Sequence, residues 1–553
     1  MAIVRLSSLA LPILAVAVFA AACGSDGDDG PETSSPSGTR VQTSPPRSAA
    51  PGDGVVDLAV EPPLSLILGA DSGDYANDLP ALDAGDVNGD GLDDLLIGAR
   101  FGDGQDNARP DSGEAYLIYG RAELASTVDL GAGQADVTIY GARGTGGVSQ
   151  QGDQLGFSGA LGDTNGDGLQ DIVLGAPLAG REDTRALAGA AYVILGRASL
   201  PAVIDLAAGG ADLTLLGGFS SGLFGDAVTA GDMDGDGADE IIIGSPFEPR
   251  PPDRDRGGQQ AGAVFVFRGG DTIRGLRDTG AGDFDMVIYG KEEFEGGDEA
   301  GDNVVTGDLN NDGLADIVIT GEAADGPNNE RSVAAEVYVV YGSRELGEVV
   351  DIGAEEQDVI VYGADNNDTT GFNIAAGDVT GDGIDDMLVS MRGGDGESNR
   401  FPEAGELHIF PGPSLPEVID LANYAEDRYV YGADSADFLG NGATILDWDG
   451  DGAKDLAIGS PMGDGLDDGS ATAGDMGEVH VIDARSLRGG VSVRATPIML
   501  SVYGARAGDA LGQSLTSGDF NGDGAEDLAV LAMRWDGADG SRPDAGGIYI
   551  LTR

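Results

Sequence analysis

Short apolar runs alternate with polar, glycine-rich segments along most of this chain. The runs are four to eight residues long, rich in β-branched and aromatic side chains, and bounded by Gly and Asp, as in Asp171–Pro177 and Gly189–Gly196. Runs of this length and composition predict β-strands. Four such runs return in each successive unit, so the pattern predicts a repeat protein built from β-sheet.

A nine-residue acidic loop separates the first two runs of every unit. Its seven copies begin 77, 69, 76, 70, 69 and 72 residues apart. They are Asp86–Asp94, Asp163–Asp171, Asp232–Glu240, Asp308–Asp316, Asp378–Asp386, Asp447–Asp455 and Asp519–Asp527. We number the loop positions 1 to 9.

The loop has the composition of a calcium site. Positions 1, 3, 5 and 9 carry oxygen-bearing side chains, and position 6 is Gly, which permits the positive φ of a sharp turn. Calcium takes six to eight oxygen ligands, including backbone carbonyls, so we expect position 7 to contribute its carbonyl. The predicted ligands of up to seven structural Ca²⁺ ions are Asp86, Asn88, Asp90, Leu92, Asp94, Asp163, Asn165, Asp167, Leu169, Asp171, Asp232, Asp234, Asp236, Ala238, Glu240, Asp308, Asn310, Asp312, Leu314, Asp316, Asp378, Thr380, Asp382, Ile384, Asp386, Asp447, Asp449, Asp451, Ala453, Asp455, Asp519, Asn521, Asp523, Ala525 and Asp527.

Two other interpretations fit the loop less well. An EF-hand needs a Glu at position 12 and flanking helices, whereas strand-forming residues such as Ile172–Leu174 follow position 9 here. The other interpretation is a set of Asp- and Gly-rich turns that bind no ion. Each of the seven copies brings several negative charges together, which favours calcium. We expect the weakest calcium binding in the two loops that depart from the pattern, with Thr380 at position 3 and Glu240 at position 9.

The charge balance restricts the partners. The chain has 96 acidic against 30 basic residues, a formal net charge of -66. Nucleic acid and anionic membrane surfaces both require a basic patch, so neither is expected as a partner.

The N-terminus predicts export. Residues 1–22 combine Arg5 with an apolar stretch from Leu9 to Ala22, which indicates a signal peptide rather than a membrane span. Cys23 is the only cysteine, and small residues before it resemble a bacterial lipobox, so we expect lipidation at Cys23; plain secretion is the alternative. Residues 23–55 predict a flexible Ser/Pro/Gly/Asp tether. The protein would therefore lie at a bacterial cell surface or outer membrane, touching the membrane only through its lipid.

Glycine and aromatic positions around the loops carry a family resemblance. Six units place Gly seven residues before the loop, and Phe224–Gly225 and Gly175–Pro177 repeat a Phe-Gly and Gly-Ala-Pro pattern. With the acidic loops, these residues resemble the FG-GAP repeats of integrin α-chain heads over residues 56–553. The resemblance implies an all-β, seven-bladed β-propeller with four antiparallel strands per blade. Because the chain stops at a third strand, we expect Leu64–Ala70 to complete blade seven and close the ring. Units four, five and seven lack the Gly-Ala-Pro, at Thr320, Ser390 and Leu531.

No catalytic constellation is evident, and we expect no enzyme. His408 and His480, the only histidines, occupy a strand position that is Tyr or Phe in other units, which indicates packing. The loops between the second and third runs are the most variable, and strand alternation places them together on one face, called here the upper face. They are Arg100–Ser112, Gly180–Leu187, Phe247–Gln260, Gly321–Val333, Arg392–Ala404, Met462–Asp475 and Arg534–Ala545.

The upper-face loops are the candidate ligand surface. They hold Phe101, Phe401 and Trp535, expected to be exposed, and the arginines Arg109, Arg185, Arg250, Arg254, Arg256, Arg331, Arg400 and Arg542. Arginine beside aromatic rings suits an acidic or carbohydrate partner, but the arginines could equally balance nearby Asp. We therefore expect a monomeric, non-catalytic adhesion or ligand-binding module for an extracellular protein or glycan. A calcium-dependent lectin and a polysaccharide-active enzyme are the alternatives.

Overall fold

The strands follow the predicted apolar runs closely. A computed structural model describes residues 54–60, 63–74, 81–145, 152–180, 185–251, 260–291, 297–396, 399–424, 428–432, 434–465, 474–537 and 540–553. Within these residues the chain forms thirty-five strands: β1 Val55–Asp57, β2 Ser65–Leu68, β3 Leu82–Gly85, β4 Asp94–Ala99, β5 Glu114–Ile118, β6 Thr127–Asp129, β7 Val137–Tyr140, β8 Gly159–Gly162, β9 Asp171–Ala176, β10 Ala190–Ile194, β11 Val203–Asp205, β12 Leu213–Leu216, β13 Val228–Gly231, β14 Glu240–Ser245, β15 Ala263–Phe267, β16 Gly275–Asp278, β17 Met286–Tyr289, β18 Ala300–Gly307, β19 Asp316–Gly321, β20 Glu336–Val340, β21 Val349–Asp351, β22 Val359–Tyr362, β23 Thr370–Gly377, β24 Asp386–Met391, β25 Glu406–Phe410, β26 Val418–Asp420, β27 Arg428–Tyr431, β28 Ala443–Leu446, β29 Asp455–Ser460, β30 Glu478–Ile482, β31 Gly489–Ser492, β32 Ile498–Tyr503, β33 Leu511–Gly518, β34 Asp527–Ala532 and β35 Gly547–Leu551.

The helices of this described part are all single 3-10 turns. They are Gln105–Asn107, Leu130–Ala132, Leu206–Ala208, Thr279–Ala281, Pro327–Asn329, Ile352–Ala354, Ala484–Ser486 and Val493–Ala495. None of them has the length and hydropathy of a membrane-spanning segment.

The strands make seven sheets, which are the blades of a β-propeller, as predicted. Each blade has five strands, in the orders β3-β4-β5-β7-β11, β8-β9-β10-β12-β16, β13-β14-β15-β17-β21, β18-β19-β20-β22-β26, β23-β24-β25-β27-β31, β28-β29-β30-β32-β1 and β33-β34-β35-β2-β6 for blades one to seven. The four inner strands are antiparallel, as β8, β9, β10 and β12 show, and the acidic loops join the first two.

The fifth strand of each blade is a feature that the sequence reasoning missed. It is parallel to the fourth strand and belongs to a neighbouring repeat unit, since β11 precedes β12 of blade two in the chain but pairs with β7 of blade one. Its sequence signal is a short Val-Asp segment, as in Val203–Asp205 and Val418–Asp420. The outermost strand of each blade is thus contributed by the following repeat unit.

Hydrophobic cores lie between neighbouring blades. The cluster between blades one and two joins Leu96 and Leu117 with Leu174 and Tyr192. The cluster that closes the ring joins Ile67 with residues of β4 and β34. Every strand-two residue of each blade is buried, because both sheet faces are covered by other blades.

The recurrent glycines bring blades into backbone contact. A Cβ at Gly175 would lie 2.0 Å from the carbonyl oxygen of Gly225 in the next blade, which no side chain tolerates. Gly225 itself has φ of 90°, a conformation that favours glycine. Where Thr320 replaces the first glycine, its hydroxyl donates to the Gly371 carbonyl at 3.0 Å, so the contact survives without Gly-Ala-Pro.

The predicted ring closure is confirmed. β2 pairs antiparallel with β35 and parallel with β6, so it fills the fourth position of blade seven. Ile67 at its centre is 1% exposed.

Deleting residues 64–70 should abolish cooperative unfolding of the propeller. The deletion leaves β35 and β6 without their shared partner and opens the core at Ile67. Calorimetry of the deleted and full chains measures the effect. The matched variant Leu64→Ala, whose side chain is 38% exposed, should change stability by about 0.5 kcal/mol or less. A deleted chain that melts like the full chain would contradict this role for β2.

Candidate metal centres

The position 1 carboxylate organises each acidic loop. In loop one, Asp86 Oδ1 accepts the Gly89 N–H at 2.6 Å, and Asp86 Oδ2 accepts the Gly91 N–H at 2.8 Å. The bond from the position 6 N–H recurs in all seven loops. Position 6 has φ between 82° and 92° throughout, which explains the invariant glycine.

The position 5 and position 7 residues are joined locally. The position 5 carboxylate accepts the position 7 N–H at 2.9–3.0 Å in every loop. This turn fixes the orientation of position 7, whose carbonyl remains the predicted backbone ligand.

The position 9 side chain is buried at the base of its loop. Asp94 accepts the Val87 N–H at 3.1 Å and, from the end of the third strand, the Gly120 N–H at 3.0 Å. Glu240 keeps the equivalent bond to the Met233 N–H at 2.8 Å despite its longer side chain. In loops one, two, four and five, position 9 therefore ties the loop to the end of the third strand of its own blade.

Burial raises the pKa of the position 9 carboxyl in every loop, and the nearby loop carboxylates raise it further. The pKa is about 7 for Asp94, Glu240, Asp316 and Asp527 and about 6 for Asp171, Asp386 and Asp455. Each site therefore favours neutralisation of its charge, by a proton or by a cation.

Position 3 decides how many carboxylates meet. Where it is Asp, three carboxylate oxygens lie within 4.8 Å of one another, in the groups Asp232, Asp234, Glu240 and Asp447, Asp449, Asp455. Where it is Asn, its amide donates to position 9, as Asn88 does to Asp94 at 3.2 Å. In loop five the Thr380 Oγ1 lies 3.5 Å from Asp386 Oδ1.

Four buried loop oxygens have no hydrogen-bond donor within the part of the chain that the structure describes. They are Asp234 Oδ1, Glu240 Oε1, Asn310 Oδ1 and Asp455 Oδ1. A buried acceptor without a donor costs about 1–3 kcal/mol, and hard oxygen ligands without protons are what calcium binds. The residues present thus fit a calcium ion. In loop three, Arg268 contacts the Asp234 carboxylate, so its guanidinium competes with a calcium ion for this ligand.

Position 8 is a structural position that the sequence reasoning missed. The Asp239 carboxylate in loop three accepts the Asp163 N–H of loop two at 2.8 Å, and the Asp239 N–H donates to the Asp163 carbonyl at 2.9 Å. Asp93 makes the same pair of bonds to Asp519 across the ring closure. The signal was an acid at position 8 in four of seven loops.

The upper-face arginines mostly serve the fold. Each of five arginines binds the Asp at the end of its own blade's fifth strand, and the pairs are Arg109–Asp205, Arg185–Asp278, Arg250–Asp351, Arg331–Asp420 and Arg542–Asp129. For these five, balance of local Asp is the correct interpretation. Arg254, Arg256 and Cys23 lie outside the described residues, as do the signal peptide and almost all of the tether.

The expectation that Trp535 is exposed was wrong. Trp535 is 3% exposed and packs over Gly547, where the missing side chain leaves room for the indole ring. Phe101 and Phe401 are half-buried and lie beside Arg100 and Arg400 at 4.7 and 5.7 Å.

The histidines occupy the predicted packing position. His408 is buried, stacks on Tyr429 with ring centroids 5.2 Å apart, and bonds Glu406 at 3.0 Å. His480 bonds Glu478 at 3.1 Å and Ser501 at 3.0 Å.

Comparison with known proteins agrees with the repeat fold. The FG-GAP repeat family model matches residues 80–118, 155–194, 224–267 and 511–551. The phosphatidylinositol-glycan-specific phospholipase D of Bos taurus is 29% identical over 216 residues, which cover 39% of this chain and 23% of that protein. The integrin alpha-PS2 of Drosophila melanogaster is 26% identical over 284 residues, covering 51% and 18%. The chain thus spans under a quarter of the length of these relatives.

A solved structure of similar outline is the exotype rhamnogalacturonan lyase YesX. It superposes with a TM-score of 0.40 at 14% identity, covering 89% of this chain and 75% of that one.

In a metal chelator, stability should fall as the pH rises from about 4 to about 7. Position 9 carboxyls keep their protons in the folded state after the unfolded chain has lost them, so the folded state binds more protons in this window. Urea unfolding at pH 5, 6, 7 and 8 measures the slope, and Asp94→Asn should make it less steep. A free energy of unfolding that increases with pH would contradict the raised pKa values.

Proposed function

We propose that this chain, which carries FG-GAP repeats in a seven-bladed β-propeller, is a calcium-loaded, non-catalytic adhesion or ligand-binding module. Lipidation of Cys23 would hold it at a bacterial cell surface. The observation that carries the proposal is the set of buried oxygens in loops three, four and six that have no donor among the described residues, at positions 3 and 9 of the repeated loop.

Calcium would be held by the side chains of positions 1, 3, 5 and 9 and the carbonyl of position 7. When bound, the ion supplies two positive charges that turn mutually repelling carboxylates into ligands. The position 1 carboxylate meanwhile keeps the loop closed through its backbone bonds. Extracellular calcium modules commonly bind at about 10⁻⁴–10⁻³ M, which suits a surface protein.

The arrangement of the candidate catalytic side chains supports a non-catalytic role. Both histidines are paired with Glu inside a blade, and the most regular carboxylates belong to the loops. A relative named as a phospholipase matches over less than a quarter of its length, so its activity is not carried over to this chain.

A lectin is the second candidate, and one surface favours it. Arg400 is exposed, and its guanidinium lies 5.7 Å from the centroid of the Phe401 ring on the upper face of blade five. An aromatic ring beside a guanidinium offers stacking and hydrogen bonding to a sugar.

Calcium removal should lower the melting temperature of the whole propeller. At ten times its dissociation constant, each ion stabilises the folded state by about 1.4 kcal/mol. Calorimetry with and without EDTA measures this. Asp455→Asn should reduce bound calcium by one ion per chain in a metal analysis, whereas Glu123→Gln, an exposed acid outside the loops, should not. An unchanged melting curve in EDTA would rule out the calcium assignment.

Binding in millimolar calcium should distinguish the candidate functions. The full chain is applied to a glycan array and to extracts of neighbouring cells, beside an Arg400→Ala/Phe401→Ala variant and a Leu276→Ala control. Glycan binding lost only in the double variant indicates a lectin. A captured protein without glycan binding supports adhesion, and hydrolysis or elimination of any glycan would overturn the non-catalytic role.

A further inference from the structure

The third strand of every blade repeats one side-chain arrangement near the upper face. Its first and third residues share a face of the sheet, because side chains two apart in a strand point the same way. The third residue is aromatic or His in all seven blades, at Tyr116, Tyr192, Phe265, Tyr338, His408, His480 and Tyr549.

In four blades the first residue is a Glu whose carboxylate contacts the polar end of this ring. Tyr338 Oη donates to Glu336 at 2.8 Å, and Tyr116 contacts Glu114 in the same way. His408 and His480 bind Glu406 and Glu478.

Two other blades lack the Glu. In one of them another side chain lies where the Glu would be, and in the other the ring itself has no hydroxyl. In blade seven, the Trp535 ring lies over Gly547. In blade three, Phe265 has no hydroxyl and packs against Phe224 and Phe284, with ring centroids 5.7 and 5.3 Å away.

Blade two alone leaves the position open among the described residues. The first residue is Ala190, and a cavity of about 200 Å³ lies above Tyr192, lined also by Arg143, Arg185 and Leu216. Tyr192 is 8% exposed, against 3% or less for the other three tyrosines of the series. Its hydroxyl makes no hydrogen bond with any described residue. We call this cavity the blade-two pocket.

Two fixed guanidinium groups supply donors to the blade-two pocket. Arg143 is held by Asp153 at 3.1 Å through Nη2, and Arg185 contacts Asp278 and donates to the Gly217 carbonyl at 3.2 Å through Nη1. Each arginine has five N–H donors, so both retain donors for a ligand, while the two aspartates are already engaged.

We propose that the blade-two pocket binds a small carboxylate. Guanidinium groups and a tyrosine hydroxyl are the donor set that a carboxylate accepts from, and the wall formed by Ala179, Ala188 and Ala190 admits a short carbon skeleton. The pocket lies at the end of the blade opposite the acidic loops, so the inference does not rest on the calcium proposal.

The test uses ligand-observed NMR of the full chain with succinate, glucuronate and uncharged glucose. Ala190→Glu recreates the arrangement of blades one and four and should weaken carboxylate binding at least tenfold, by filling the cavity with a negative charge. Tyr192→Phe, which copies blade three, should weaken it about three- to tenfold through the lost hydrogen bond. Tyr549→Phe in blade seven is the matched control and should bind like the unchanged chain.

The outcomes separate clearly. Glucuronate binding without succinate binding identifies an acidic sugar as the ligand source, and the reverse identifies an acidic aliphatic group. No carboxylate binding, equal binding of glucose, or unchanged binding by a folded Ala190→Glu variant would each overturn the proposal.

Discussion

The hydrogen bonds between neighbouring acidic loops are the interaction on which the ring depends. In four loops an acid at position 8 accepts the N–H of position 1 in the loop before it. Asp239 and Asp93 also donate their own N–H to the position 1 carbonyl. Position 1 is also the residue whose carboxylate closes its own loop. Loops that are joined in this way share hydrogen bonds at position 1, so the conformation of one loop constrains the conformation of its neighbour.

The two faces of the ring are stabilised by different chemistry. On the loop face, acidic side chains bind backbone N–H groups, whereas on the upper face arginines bind aspartates of the borrowed fifth strands. The Arg250–Asp351 pair is 7% and 8% exposed; buried pairs of this kind hold a geometry more than they add stability. Between the faces, glycines such as Gly175 and Gly225 let adjacent backbones touch. Blades are thus fixed at both ends and at the middle.

The sequence predicted what repeats and missed most of what crosses between repeats. Seven loops and the strand periodicity follow from patterns within one unit, and the closing strand at Ile67 follows from comparing the first unit with the last. The parallel strand at Val203–Asp205 was missed because three residues give too short a pattern, and its partner lies in another unit. Trp535 was misjudged because its burial depends on the glycine at Gly547, twelve residues away in sequence and adjacent only in the fold. Asp239 was overlooked since a position 8 acid resembles a solvated residue until the neighbouring loop is placed.

The strand exchange at the ring closure also orders the folding of the chain in time. β1 and β2 are made early, but their partners β32 and β35 lie at the far end of the propeller. β1 and β2 therefore have no partner until blades six and seven have been made, so the ring cannot be completed until nearly the whole propeller has been synthesised. Long-range pairing of this kind is slow. An incomplete chain would present open strand edges, which favour aggregation, so a growing chain has to be kept apart from other chains until β1 and β2 have paired with β32 and β35.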